Sequence, residues 1–424
     1  MKPVGTSTGS NGLKRRLRLS DAVLIGLGSM IGAGIFAALG PAAAAAGSGL
    51  LIALALAVVV AYCNATSSAR LAALYPQSGG TYVYGRERLG PFWGYLAGWA
   101  FVVGKTASCA AMALTVGAYA CPGQANAVAV AAVVALTALN YTGVQKSAWL
   151  TRVIVALVMA VLAAVVTVCL TSGAADTVRL GIGAGLTLGG TLQAAGMLFF
   201  AFAGYARIAT LGEEVIDPAR TIPRAIPIAL AITLAVYVAV AVAVLSVLGP
   251  DQLAHTTAPL TDAVRAAGIP ALAPAVRVGA AVAALGSLLA LILGVSRTTL
   301  AMARDHCLPR ALAAVHPRFG VPHHAELAVG AVVALLAATV DIRGAIGFSS
   351  FGVLAYYAVA NASAWTLAPA EGRPPRIVPV IGLTGCVALA CTLPLASVLT
   401  GAAILAAGAA IYALQKVTTD RSRN

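Results

Sequence analysis

The stretch Gly28-Ser29-Met30-Ile31-Gly32-Ala33-Gly34-Ile35-Phe36 lies in the middle of an apolar segment that covers about residues 21 to 46. Its three glycines favour an interruption of the helix that this segment would otherwise form. An interrupted helix leaves backbone N–H and C=O groups without partners, and lipid cannot hydrogen-bond them. Such a break is tolerated only where it lines a cavity enclosed by protein. The stretch therefore predicts a cavity at membrane depth that holds a ligand.

The composition predicts an integral membrane protein. Apolar residues make up 60% of the 424 positions, charged residues only 9%, and the mean hydropathy is +0.93, whereas soluble domains contain about 25% charged residues. A membrane-spanning helix takes roughly 20 apolar residues. We predict twelve such spans, numbered in chain order: about residues 21–46, 49–74, 92–120, 124–141, 147–171, 188–211, 224–248, 276–301, 325–340, 344–368, 376–395 and 397–415.

The distribution of charge predicts how the chain crosses the membrane. The formal net charge is +14, but most Lys and Arg fall in alternate loops, on the side of the basic N-terminus. Because Lys and Arg mark cytoplasmic loops, we expect a multi-pass protein of the cytoplasmic membrane with both termini cytoplasmic. The basic loops would contact anionic lipid head groups rather than nucleic acid. The exceptions are Arg179, Arg265, Arg277 and Arg343 on the other side, and Lys105 and Arg207 within spans.

Cysteine and histidine usage gives no sign of a disulfide framework, a metal site or a cofactor. The seven cysteines are scattered, odd in number and without a C-x-x-C pair, which does not fit a disulfide scaffold. His323 and His324 adjoin in a basic loop without a Cys or an acidic residue at ligand spacing. A secretory signal over residues 21–46 is not favoured, because the apolar run is too long for one and leads straight into another span.

A second interruption is predicted in span 6, in the apolar stretch from Gly196 to Tyr205, which has small residues at its centre and a second glycine at Gly204. Two glycine-interrupted helices, five spans apart, indicate a transporter built from two inverted repeats, with the substrate held between the breaks. The alternative is that Gly28 and Gly32 form a small-residue motif for close packing between helices. A dinucleotide-binding loop at Gly32-Ala33-Gly34 does not fit, because no strand precedes it.

Three ordered motifs carry a family resemblance. They are the first span, residues 199–227 with Gly212-Glu213-Glu214-Val215-Ile216-Asp217-Pro218 near their centre, and residues 296–305. They resemble the amino acid–polyamine–organocation superfamily, most closely its bacterial amino acid permeases related to cationic amino acid transporters. Similarity runs from about residue 17 to 368, and spans 11 and 12 match only in hydrophobicity. The resemblance implies an all-α integral membrane protein with the LeuT-type fold.

In that fold, ten core helices form two inverted repeats of five, and two peripheral helices follow. The resemblance therefore implies a first repeat over residues 21–171, a second over 188–368 and the peripheral pair over 376–415. Cytoplasmic tails would take residues 1–20 and 416–424. Helices 1 and 6 are discontinuous in this family, in agreement with the two glycine-interrupted spans.

The family also implies where a substrate binds. Its amino acid carboxylate meets backbone N–H groups at the break in helix 1, and its ammonium meets carbonyls of helices 1 and 6. Half-helix ends carry about half a unit charge of the matching sign, and glycine keeps the donors accessible, so a side chain at position 32 or 34 should block the site. Phe202 either gates the substrate, as the family's aromatic residue does, or simply packs. The implied contacts are Ile31, Gly32, Ala33 and Gly34 for the carboxylate, and Ser29, Met30, Phe200, Ala201 and Ala203 for the ammonium.

Lys105 is the most informative charge, because it falls near the middle of span 3. A lysine at mid-membrane costs on the order of 2.5 to 3.5 kcal/mol on insertion scales, so it is expected to face the bundle interior and to be functional. Proton-coupled members of the family often carry a lysine in helix 5, where the matching residue here is Val158. We expect Lys105 to act beside the substrate as a titrating group or as a fixed charge, with a proton as the candidate coupling ion. The alternative is a lysine that only reaches an internal water cavity.

An inner gate is implied at the end of span 6. Glu213 and Glu214 match the position where the family forms charge pairs, and Arg297 of span 8 is a candidate partner. A solvated charged loop is an equally good interpretation for the neighbouring Asp217 and Arg220.

Substrate charge and reaction class follow from these residues. Members that carry cationic amino acids have a glutamate in helix 3, but the matching residue is Gly104, so a cationic substrate would meet Lys105 without a counter-ion. We expect a secondary active transporter that moves a small, preferably neutral amino acid by alternating access, or an exchanger of the same fold. An enzyme should show paired Asp, Glu or His within spans, which this sequence lacks. A membrane receptor stays an alternative, and no protein partner is inferred.

Overall fold

The structure is a computed structural model that describes residues 17–421, apart from residues 78, 144–147, 182, 184–185, 210 and 212–213. All regular secondary structure in these residues is helical, and one isolated β-bridge joins Leu17 to Val215. Within the described residues, ten helices are long and apolar enough to cross a membrane, and two shorter apolar helices accompany them. The predicted all-α membrane fold is confirmed.

Each predicted span corresponds to a helix or to a set of helical pieces. Span 7 begins earlier than predicted, at Pro218, and its continuous helix ends where predicted, because Gly249, with φ 70°, breaks it before a short helical continuation to His255. Span 1 consists of Leu19–Met30, Ala33–Ala37 and Leu39–Ala46, and span 6 of Leu188–Phe202 and Ala206–Ala209. The other spans, in order, are Leu50–Leu74, Pro91–Ala120, Ala125–Tyr141, Ala148–Thr171, Pro218–His255, Ala273–Arg304, His323–Thr339, Ile342–Trp365, Ile377–Thr392 and Leu395–Arg421.

Both predicted interruptions are present. The first helix of span 1 ends at Met30, because Ile31 (φ −80°, ψ 52°) and Gly32 (φ −105°, ψ −134°) leave helical geometry before the next helix begins. Span 6 leaves α-helical geometry after Phe202 and passes through a 3₁₀ turn over Ala203–Tyr205. Each break exposes helix-end N–H or C=O groups that have no partner within their own helix.

Spans at equivalent positions of the two predicted five-helix repeats make equivalent contacts. Span 1 packs against span 7, and the equivalent span 6 packs against span 2; span 3 packs against span 10, and span 8 packs against span 5. Likewise, span 3 packs against span 9, and the equivalent span 8 packs against span 4. This pattern agrees with the LeuT-type architecture, while the exact residue limits of the two repeats stay a prediction.

The end of the bundle at which span 1 begins, called the N-terminal face below, is held together by charge pairs between loops. A short helix, Thr81–Leu89, carries two of the arginines involved. Arg86 lies 3.0 Å from Asp305 of the loop after span 8, and Arg88 lies 2.6 Å from Glu371 of the loop after span 10. These pairs join segments that are distant in sequence.

Candidate functional site

A cavity of about 120 Å³ lies between the two interruptions and the N-terminal face. Spans 1, 3, 6 and 8 contribute most of its wall, so the two breaks predicted from the glycines do share one cavity. Its described lining includes Ser29, Phe101, Lys105, Ser108, Met112, Phe200, Ala203, Gly204, Arg207, Glu214, Ser287, Ala290, Arg297 and Thr298.

Lys105 reaches the break in span 6. Its side chain is buried, with 6% of its surface exposed, and its Nζ donates a hydrogen bond of 3.1 Å to the carbonyl of Ala203. Ala203 follows directly on the helix that ends at Phe202, so the ammonium sits where the negative end of the helix dipole favours a cation. The lysine therefore faces the bundle interior, as predicted, and caps the interrupted span.

Tyr237 of span 7 connects the two breaks. Its hydroxyl lies 2.5 Å from the carbonyl oxygen of Met30 and 3.0 Å from that of Ala201. The side chain is buried, with 1% of its surface exposed, so its single hydroxyl proton satisfies carbonyls that water does not reach. The sequence analysis missed this residue. The sequence feature that could have identified it is a single Tyr in a Val- and Ala-rich span, because a buried tyrosine hydroxyl needs a hydrogen-bond partner.

Ser287 of span 8 holds the helix just before the first break. Its Oγ donates a hydrogen bond of 3.0 Å to the carbonyl of Gly28. A Cβ at Gly32 would collide with the Ser287 side chain. Gly32 is therefore a position of close packing between spans 1 and 8, which is the small-residue alternative considered from the sequence.

Gly34 is packed against the backbone of span 6. A Cβ at this position would lie 2.6 Å from the Cα and 2.7 Å from the Cβ of Ala201. A side chain at Gly34 would therefore meet the neighbouring helix before it met the cavity. The expectation that such a side chain blocks a ligand stays a prediction, and the contact that the structure shows is between two protein segments.

Charged side chains meet where the cavity approaches the N-terminal face. Arg297 Nη1 lies 4.0 Å from Glu214 Oε1, and both side chains are partly exposed. Arg207 lines the same cavity and lies on the short helix Ala206–Ala209, which follows the break in span 6. The predicted partner Arg297 is thus beside Glu214, whereas Glu213 lies outside the described residues.

The opposite end of span 1 is closed by aromatic and charged side chains. Tyr119 Oη donates to the carbonyl of Phe36 at 2.8 Å, and the two rings meet edge to face. Arg277 donates to the carbonyls of Tyr119 and Ala120 at 2.6 and 2.7 Å. These contacts join spans 1, 3 and 8 on the far side of the breaks from the N-terminal face.

The structure brings some of the predicted site residues to the cavity and places others behind it. Phe202 is fully buried with its ring 5.0 Å from that of Tyr237, which is a packing position in this structure. Val158 is also buried. Residues in the lining are Ser29, Lys105, Phe200, Ala203, Glu214 and Arg297. Residues buried around it are Met30, Ile31, Ala33, Gly34, Ala201 and Phe202. Their roles toward a substrate stay predictions.

Comparison with known proteins places this site in a family. The profile of the family described as "Amino acid permease" matches residues 21–418, nearly the whole chain. The chain belongs to the amino acid permease family. The match extends through spans 11 and 12, which from the sequence resembled the family only in hydrophobicity. The permease is therefore a multi-pass membrane protein of a transporter family.

Several relatives match the permease over most of its length. An uncharacterised transporter of Mycobacterium tuberculosis is 74% identical over 411 residues, which cover 97% of this chain and 93% of the relative. The branched-chain amino acid permease of Bacillus subtilis is 26% identical over 407 residues, covering 89% and 87%. Cationic amino acid transporter 4 of Homo sapiens is 27% identical over 401 residues, covering 88% of this chain and 63% of the relative.

Proposed function

We propose that the permease is a secondary transporter that moves a small amino acid, preferably a neutral one, across the cytoplasmic membrane by alternating access. The observation that carries this proposal is the buried Lys105 ammonium, which caps the break in span 6 inside the cavity. Family membership supports transport rather than enzymatic chemistry. An exchanger that swaps one amino acid for a related metabolite has the same site and is the second candidate.

The substrate charge is inferred from the cavity rather than from the relatives, whose names include both branched-chain and cationic amino acids. Among the described lining residues, the carboxylate is Glu214, which lies beside Arg297. Two like charges 4 Å apart repel by about 4 kcal/mol at an effective dielectric constant of about 20. A cationic side chain next to Lys105 would therefore bind roughly a thousand-fold more weakly than a neutral one.

The backbone groups left at the breaks suggest how the amino acid is held. We place its carboxylate at the N–H groups of Gly32, Ala33 and Gly34, where the second helix of span 1 begins. The N–H of Ile31, also predicted from the sequence, already donates to the carbonyl of Leu27 at 2.7 Å. The carbonyls of Met30 and Ala201 already accept from Tyr237. The carbonyls of Ser29 and Phe200, both in the cavity lining, are then the ones proposed to meet the substrate ammonium.

The contacts of Tyr119 and Arg277 on the far side of the breaks suggest which state of the transport cycle this structure represents. The cavity extends from the breaks toward the N-terminal face, while Tyr119, Phe36 and Arg277 join the helices on the other side. With the N-terminal face on the cytoplasmic side, this is an inward-facing arrangement. Alternating access then requires the Tyr119 contacts to open and the pair Arg297–Glu214 to tighten.

A ligand screen by thermal unfolding tests the proposed substrate class. A ligand that binds only the folded protein at 100 times its Kd adds about 2.7 kcal/mol of stability. The purified permease should be stabilised by small neutral amino acids, less by arginine, lysine and polyamines at equal concentration, and the difference should shrink in Lys105→Met. Stabilisation by arginine at lower concentration than by any neutral amino acid would overturn the assignment.

A further inference from the structure

Glu326 is a buried carboxylate that the proposed function does not use. It lies in the first turn of span 9, and none of its surface is exposed. Among the residues that the structure describes, neither carboxylate oxygen has a hydrogen-bond partner. An ionised carboxylate without hydrogen bonds is costly at such a position, whereas the protonated acid is tolerated. An ionisable residue of this kind within a membrane segment is a functional candidate by default.

Arg297 links this carboxylate to the gate. It lies on span 8, which packs against span 9, the helix that carries Glu326. The same guanidinium lies 4.0 Å from Glu214, on the segment after span 6. The arginine that pairs with the carboxylate in the cavity wall therefore lies on the helix that packs against the span of the buried one. A negative charge on Glu326 would draw Arg297 away from Glu214, and protonation would release it.

The other ionisable groups around span 9 have different surroundings. Spans 3, 4 and 8 and the turn Arg310–Ala313 pack against it. Lys105 of span 3 donates to the break in span 6, Tyr141 of span 4 contacts the rings of His316 and His323, and Arg310 is exposed.

Span 9 itself carries two histidines near Glu326. The His324 ring nitrogen Nδ1 lies 2.8 Å from the carbonyl of Ala311, and the His323 ring lies against His316 and Tyr141. Histidine is a second kind of side chain that can bind a proton, so a test has to separate a histidine contribution from that of the carboxylate.

We propose that Glu326 is the proton-binding site of the permease, and that its protonation state sets whether Arg297 pairs with Glu214 across the cavity mouth. This inference rests on the proposed transport function. A proton taken up from the aqueous phase forms an O–H bond on one carboxylate oxygen and neutralises the residue. Arg297 then stays with Glu214; loss of the proton restores the negative charge, attracts Arg297 and loosens the gate. Proton binding and gate position are thereby coupled through differential stabilisation of two states.

The first experiment reads the proton directly and needs no substrate. The infrared spectrum of the purified permease is titrated with pH for wild type, E326Q and E326D, with E371Q as the matched control at the same face. Wild type, E326D and E371Q should show the carboxylic acid band of a protonated side chain, and E326Q should lack it. A band that stays unchanged in E326Q would come from another carboxyl group and would overturn the site, and histidine protonation does not contribute to this band. A wild type without a titrating carboxylic acid band would also overturn it, whether or not E326Q folds.

The second experiment reads coupling in proteoliposomes with a labelled neutral amino acid. Wild type and E371Q should accumulate it when a pH gradient is imposed, whereas in E326Q the inside-to-outside ratio should fall to about one. Homoexchange, in which proton binding and release cancel, should continue in E326Q. Gradient-driven accumulation by E326Q equal to that of wild type overturns the proton site. A titrating carboxylic acid band, together with no uptake or binding of any amino acid, instead refutes the proposed function.

Discussion

Gly34→Ala tests how closely spans 1 and 6 approach at the breaks. The substitution adds one methyl group at the start of the second helix of span 1. That methyl would lie 2.6 Å from the Cα and 2.7 Å from the Cβ of Ala201. Ordinary contacts of a Cβ are 3.4 to 4 Å, and neither atom of Ala201 can turn aside, because one belongs to the backbone and the other has no rotamer. The two segments must therefore separate.

The expected cost follows from overpacking. Inserting a methyl group into a closely packed site typically destabilises a protein by about 1 to 3 kcal/mol. Gly28→Ala is the matched control on the same span. Its methyl would meet only the ends of two side chains, Val155 at 3.3 Å and Thr151 at 3.4 Å. Replacing a glycine inside a helix by alanine also stabilises the helix, by up to about 1 kcal/mol.

The assay is thermal unfolding of both purified variants, followed by amino acid binding to each. Gly34→Ala should lower Tm and weaken binding together, because the same displacement moves the proposed carboxylate donors. Gly28→Ala should keep both close to wild type. A Gly34→Ala protein as stable as wild type would refute the packing argument. A loss of binding at unchanged Tm would instead support the simpler view that the methyl group blocks the ligand.

Three further outcomes are expected. Lys105→Met should lower the free energy of unfolding by about 1.5 to 3 kcal/mol, since it removes a charge-assisted hydrogen bond and leaves the Ala203 carbonyl buried without that partner. Lys105→Arg keeps the charge and should therefore lose less stability. Urea or thermal unfolding measures both changes. Tyr237→Phe should cost about 0.5 to 1.5 kcal/mol with little change in far-UV circular dichroism. The hydrogen bond from Arg88 lowers the pKa of Glu371 from its ordinary value of 4.5. The pair of Glu371 with Arg88 therefore stabilises the fold above pH 4.5, and this contribution is lost as the pH falls through the lower folded-state pKa of Glu371. The Tm of E371Q should consequently depend less on pH in the acid range than the Tm of wild type.

The breaks and spans could be predicted because they depend on local composition. Hydropathy determines where a helix can cross lipid, and the glycines around Gly28–Gly34 mark where one cannot continue. The end of span 7 agrees with the prediction because Gly249 breaks the helix where the apolar stretch ends, whereas its start at Pro218 lies in a polar stretch that hydropathy does not mark. Span 9, the shorter helix His323–Thr339, was predicted even though it is below the length usual for a membrane crossing.

The contacts inside the site depend on tertiary packing and could not be predicted from spacing. The position of Lys105 in span 3 indicated a functional charge, but nothing in the sequence pairs it with the carbonyl of Ala203. Tyr237 and Glu326 lie in apolar stretches, where a single polar residue is compatible with several partners. Gly34 was assigned to ligand access because the neighbour that contacts it, Ala201, is 167 positions away along the chain.

The most direct test of the central claim is uptake of a labelled neutral amino acid into proteoliposomes that contain the purified permease. The account predicts saturable uptake by wild type, competition by other small neutral amino acids more than by arginine, and loss of uptake in Lys105→Met that is inserted and folded. Saturable uptake of the same size in Lys105→Met would contradict the role of this lysine at the break. Arginine uptake that saturates at lower concentration than that of any neutral amino acid would contradict the proposed substrate class.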